Sequence, residues 1–186
     1  MTTPPALEER EGLPDALRVL LEAFPRENWN DDTLDDLTKF WLQRHMMFRR
    51  LLGHMADDAK RLSDGVMDPE KYIAHLSRLG SHFVQDLHAH HHIEDEAYFP
   101  KLIKSDPRLE RGFDMLDADH KAIDGHLNTF VEAANGLIQA SPDARAQMGA
   151  PFADHIEGLQ QLLHRHLTDE EDLVVPVILK YGPPEH

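Results

Sequence analysis

No cysteine occurs among the 186 residues of the chain. Disulfide frameworks, cysteine zinc fingers, iron–sulfur clusters and cysteine nucleophiles are thereby excluded. Positive charge is scarce as well: 19 Lys and Arg stand against 34 Asp and Glu, a formal balance of −15. Such an acidic chain repels nucleic acid phosphates and anionic lipid, so neither a nucleic acid nor a membrane is expected as a partner, whereas cations are attracted. Long apolar runs are missing. The longest clean one, Leu173 to Leu179, is broken by Pro176 and flanked by Asp172 and Lys180, far short of a membrane span. The start, from Met1 to Arg10, lacks the basic region and apolar run of a signal peptide, which predicts a cytoplasmic protein. Glycine-rich phosphate loops are absent, and no serine sits in a Gly-x-Ser-x-Gly elbow, so nucleotide and serine-hydrolase chemistry lose their usual signals.

What the chain does have is helical periodicity and 14 histidines. Pro and Gly cluster near residues 25–32, 63–69, 105–108 and 136–151, which divides the chain into a head and four long helical stretches. Residues 14–24, with Pro14 in the first turn and Pro25 after the last, predict one short helix in an N-terminal extension covering residues 1–30. Residues 31–186 then form the main domain. Its first seam runs Leu34, Leu37, Trp41, His45, Phe48, Leu52, Met55, Ala59 and Leu62 in steps of three and four. Asp68-Pro69 opens a second seam, Leu76, Leu79, Phe83, Leu87, His90, Glu94 and Ala97. Asp106-Pro107 opens a third through Phe113, Leu116, His120, Ile123 and Leu127, and the fourth passes Phe152, Ile156, Leu159, His166, Glu170, Leu173 and Val177. Strand-like alternation of useful length is lacking. The fold class is all-α, an antiparallel up-down four-helix bundle with a short extra N-terminal helix.

Each seam is interrupted near mid-length by one histidine: His45, His90, His120 and His166. In two helices a glutamate follows four residues later on the same face, His90 with Glu94 and His166 with Glu170. Burying a carboxylate in an apolar core costs several kcal/mol unless a cation or a set of donors compensates. Two such carboxylates beside four inward histidines predict a metal site. Counting residues back from the turns places all four histidines within about one turn of a common level. The other histidines point to other faces, except His155, which faces the same side as His166 but lies about 16 Å away along the helix. His91 and His92 read as boundary residues, His88 and His164 flank the seam, His155 is a core or end residue, and His54, His75, His82 and His186 are surface or boundary positions. Trp41 and Tyr98 read as core aromatics.

An internal repeat strengthens the pattern. His90, Glu94 and Pro100 recur as His166, Glu170 and Pro176 at an offset of 76, with a second acid after each glutamate, and His45 and His120 are 75 apart. At these residues the sequence resembles the hemerythrin-like proteins, in particular the branch of HHE cation-binding domains, over roughly residues 33–181. The resemblance implies metal ligands at His45, His90, Glu94, His120, His166 and Glu170. It implies a non-haem centre of two iron ions, carboxylate- and oxo-bridged, with an open position for a small ligand such as O2 or NO. The chain departs from the oxygen carriers on the third helix, where Asp124 stands four residues after His120 in place of a second histidine. Asp124 is therefore carried as a further candidate ligand, and a centre with fewer imidazoles and one more carboxylate is expected to favour irreversible oxidation. The functional reading is a protein that binds, senses or processes O2, NO or iron; the alternative is a non-catalytic metal store or a metal-dependent regulatory module.

Overall fold

The computed structural model describes residues 4–30 and 32–184; Asp31, at the expected start of the main domain, and His186 lie outside the described residues. All regular structure among the described residues is helical. It is carried by α1 (Asp36–Ser63), α2 (Pro69–Ile93) with its continuation α3 (Phe99–Ser105), α4 (Glu110–Gln139) and α5 (Pro142–Tyr181). These four long stretches are consistent with a helical bundle. No helix among the described residues is long and apolar enough to cross a membrane.

The helix ends follow from local chemistry. The Asp35 carboxylate accepts from the backbone N–H groups of Leu37 and Thr38 at 2.9 and 3.1 Å, so α1 starts a few residues later than the Asn30–Thr33 cluster predicts. Asp68 caps α2 through Glu70 N–H and Lys71 N–H, with Pro69 in the first turn, where a missing N–H costs nothing. At the far end of α1, Gly65 takes φ +69° while Val66 N–H reaches back to the Arg61 carbonyl and Gly65 N–H to that of Leu62, a Schellman stop.

Two expectations are corrected. Residues 14–24 form a single 3₁₀ turn, Asp15–Leu17, continued by hydrogen-bonded turns to Phe24, instead of one regular helix. The predicted break over 136–151 shrinks to Ala140 and Ser141, because α5 begins at Pro142. Pro151 sits exposed inside α5. Gly149 is a close-approach residue: an added Cβ would lie 3.0 Å from the Ala59 carbonyl oxygen and 3.1 Å from the Ser63 nitrogen.

The described residues group into two compact units. One takes Met47–Ala89 and Ile123–Leu163. Its interior is apolar, with one phenylalanine from each long helix in edge or stacked contact: Phe48 with Phe83, Phe83 with Phe130, and Phe130 with Phe152. The other takes the residues up to Met46, His90–Ala122 and those from His164 onward. There Leu13, Leu17 and Leu20 of the head share one hydrophobic cluster with Trp41, Phe99, Phe113 and Leu173, so the head is part of this unit's core.

Replacing Gly149 by Ala sets a gain of up to ~1 kcal/mol in helix propensity against a clash with helical backbone, whereas Gly158, with nothing within 4 Å of an added Cβ, offers the gain alone. Urea denaturation should show Gly158→Ala more stable than the parent and Gly149→Ala less stable. A more stable Gly149→Ala would contradict the close approach.

Candidate metal centre

All four seam histidines and both seam glutamates are buried in the same compact unit, at the start of α1, the end of α2, the start of α4 and the end of α5. Two groups of donor atoms form there, each drawn together within 4.8 Å: His45, His90, Glu94 and Glu170 in one, His91, His120 and His166 in the other. The two carboxylates link the groups. Glu170 Oε2 lies 3.5 Å from His45 Nε2 and 3.6 Å from His166 Nε2. Glu94 places Oε1 3.0 Å from His90 Nε2 and Oε2 3.8 Å from His120 Nε2.

The backbone contributes at Glu94. Pro100 has no N–H to donate, and the helix between α2 and α3 widens into a π segment, Glu94–Tyr98, in which Phe99 N–H bonds the Glu94 carbonyl. The extra residue moves the seam on, so Phe99 is buried and Ala97 only half-buried. The related stretch before Pro176 stays α-helical, so the repeated sequence does not repeat this feature.

Behind the ring nitrogens that face inward stand further carboxylates. His45 Nδ1 is 3.0 Å from Glu171, His120 Nδ1 is 2.8 Å from Asp95, and His166 Nδ1 is 3.3 Å from Asp119. An ionised carboxylate only accepts, so each Nδ1 carries the proton and each Nε2 turns a lone pair inward, the tautomer a metal ligand needs. Trp41 Nε1–H donates to Glu94 Oε1, with the indole 4.2 Å from the His45 ring.

Burial pushes the His45 imidazolium down to about 4 and holds those of His91 and His166 well below the ordinary value of 6.5. The two glutamates diverge. Burial alone would raise Glu94, but the surrounding imidazoles, His90 foremost, bring it below the usual carboxylate range. Glu170 is pushed well above it by burial and then by the neighbouring Glu94 charge. Both oxygens of Glu170, Oε2 of Glu94, Nε2 of His120 and His166 and both ring nitrogens of His91 are buried without a hydrogen-bond partner. Buried polar atoms left in this way are costly, and here they converge on one small volume. Neutral imidazoles, carboxylates and backing carboxylates are the donor set of a non-haem iron site, and these residues fit one.

The structure therefore brings together six of the residues singled out in the sequence: His45, His90, Glu94, His120, His166 and Glu170. Asp124 is not among them. It belongs to the other unit, half-exposed, with His88 Nδ1 3.1 Å from its carboxylate. The seam leaves His120 by a step of three, to buried Ile123, and that turns Asp124 to the rim. His91, read as a boundary residue, is instead buried and stacked on His120, ring centroids 3.9 Å apart and planes within 9°. From Leu87 the inward face can be reached by a step of three, to His90, or of four, to His91; the chain uses both. With five imidazoles gathered, the basis for expecting an imidazole-poor, carboxylate-rich centre falls away.

These shifts make a prediction for the metal-stripped protein. The unfolded chain takes protons on His45, His91 and His166 near pH 6.5, whereas the folded state resists them, down to about pH 4 for His45. Their contribution is fully present above pH 6.5 and is lost as pH falls through the folded-state values, roughly 3 kcal/mol for His45 alone. Glu170 acts oppositely within the same window, because the unfolded chain gives up that proton near pH 4.5 and the folded state only at a higher pH, so it offsets about one of the three histidines and leaves the sign to the other two. Urea midpoints measured from pH 7 to 4.5 should fall steadily; a flat or rising profile would contradict neutral buried imidazoles.

The comparisons with known proteins agree with this geometry. Neither a curated protein nor a solved structure matches the chain closely enough to count as a relative. The family model for the hemerythrin HHE cation binding domain matches residues 36–181, which holds every member of both donor groups and leaves the head outside. With most of its length inside that match, the chain belongs to the hemerythrin HHE cation-binding domain family.

Proposed function

We propose that the protein holds two iron ions, one against His45 and His90 and one against His91, His120 and His166, with Glu94 and Glu170 shared between them, in order to bind, sense or process O2, NO or iron. The observation that carries this reading is the placement of the two carboxylates, each of which reaches an imidazole of both groups. A single structural zinc closes at four ligands, whereas seven donor residues with shared carboxylates suit a pair of ions that keeps a position open. The helices around the site support an antiparallel up-down bundle, because one unit takes the start of α1, the end of α2, the start of α4 and the end of α5, and the other takes the opposite ends.

Bound iron would supply the redox and small-ligand chemistry. The chain's own residues do the rest. Glu171, Asp95 and Asp119 fix the imidazole tautomers, Trp41 orients Glu94, and Phe99 and Phe113 keep the surroundings apolar. Burial beside Glu94 favours the protonated form of Glu170, and a cation there would favour the carboxylate, so metal loading releases protons and weakens as pH falls.

Anaerobic ferrous loading followed by elemental analysis tests the reading. The parent chain should retain about two irons, Glu170→Gln about one or fewer, and Asp124→Asn the parental amount. The loaded protein should change its absorption on exposure to O2 or NO. Repeated consumption of either gas marks a processing role, and a loaded protein indifferent to both marks a store. Loss of iron in Asp124→Asn with full retention in Glu170→Gln would contradict the proposed ligand set.

A further inference from the structure

The head lies outside the family match, yet two of its arginines stand directly behind the metal centre. Arg10 is buried; its guanidinium grips Asp119 with Nη1 at 3.1 Å and Nη2 closer still, and Nε reaches Asp169 at 2.9 Å. Asp119 is the carboxylate on His166 Nδ1. Arg26 donates from Nη1 to Glu171 at 2.9 Å, from Nε to Asp172 at 2.5 Å and from Nη2 to the Thr168 carbonyl at 2.9 Å, with its charge 4.8 Å over the Trp29 ring. Glu171 is the carboxylate on His45 Nδ1. Two parallel chains thus run from the head inward: Arg10 to Asp119 to His166, and Arg26 to Glu171 to His45. They end in different donor groups, one in each.

From this we infer that the N-terminal segment is a clamp on the metal centre, with Arg10 and Arg26 as positioning residues, each holding the carboxylate that orients one ligand at one of the two metal positions. The inference rests on the metal reading above. Each arginine holds its carboxylate aimed, and the carboxylate holds its imidazole in the ligating tautomer; without the guanidinium the carboxylate is free to swing and the imidazole loses its lock. Arg165 ties the same head from the other side, donating to the Glu11 carbonyl and to Asp169. Linkage is reciprocal, so whatever docking of the head adds to metal affinity, metal binding adds to docking of the head.

Anaerobic titration of the full chain with Co(II), followed by its visible bands, tests this without turnover. Direct carboxylate partners of metal-bound histidines are worth roughly 10–100-fold in affinity, so a residue one step further back should be worth about tenfold. Arg26→Gln should weaken one of two binding steps about tenfold and alter its bands while leaving the other step unchanged, and Arg10→Gln should do the same to the other step. Identical isotherms and spectra in parent and variants, or both steps shifted alike by either variant, would overturn the inference, the second pattern marking a merely structural role. Should Arg10→Gln fail to fold, hydrogen exchange of the parent decides: residues 4–30 should exchange about tenfold more slowly with Co(II) bound, and unchanged exchange would sink the clamp. A parent chain that takes up no Co(II) at all overturns the metal reading itself and the clamp with it, whereas a parent that binds beside variants that bind identically overturns the clamp alone.

Discussion

Two carboxylates buried side by side in an apolar interior set the terms for the rest of this structure. Glu94 and Glu170 are almost wholly inaccessible, and burial disfavours a charge on His45, His91 and His166 around them. Only Glu94 has donors to it, from Trp41 and from the His90 side. Charge is therefore favoured on Glu94 and opposed on Glu170, and several polar atoms stand unpartnered. Cations relieve both costs at once, and the surrounding elements serve that exchange.

The stability needed to hold such a site comes from elsewhere in the chain. The unit without the site is packed with apolar residues from all four long helices, Phe48, Phe83, Phe130 and Phe152 among them, and contains no comparable buried charge cluster among its described residues. The unit with the site fills the gaps around its donors with Phe99, Phe113 and Leu173 and with head leucines that the helical seams alone would leave out. The π segment at Glu94 and the capped Asp-Pro start before α4 belong to the same economy of backbone: local departures from the α-helix occur where the site or a chain reversal needs them.

Much of this was legible in the sequence because helical spacing is a strong constraint. A histidine and a glutamate four residues apart share a face whatever surrounds them, so His90 with Glu94 and His166 with Glu170 follow from arithmetic, and His45 and His120 follow from their places in apolar seams. Where the face is broad, spacing stops deciding. His90 and His91 both point inward, and His120 is followed inward by Ile123 and not by Asp124. Glu171 and Asp95, each next to a seam glutamate, lie off the seam and carry no periodic signal of their own; they turn about 100° away to back a histidine from another helix. The buried Arg10 was the least legible residue, since pairing over more than a hundred positions leaves no periodic trace. Gly149 and Pro151 read as a loop because breakers carry no label saying whether they end a helix or fit a close contact.

The central claim is that Glu94 and Glu170 are shared between two metal positions. Mössbauer spectroscopy of the full chain loaded anaerobically with ⁵⁷Fe(II) and then oxidised addresses it most directly, because irons joined through shared carboxylates couple magnetically and isolated irons do not. The account predicts about two irons per chain in a coupled pair with no net spin after oxidation. A single iron, or two that behave as independent paramagnets, would contradict it.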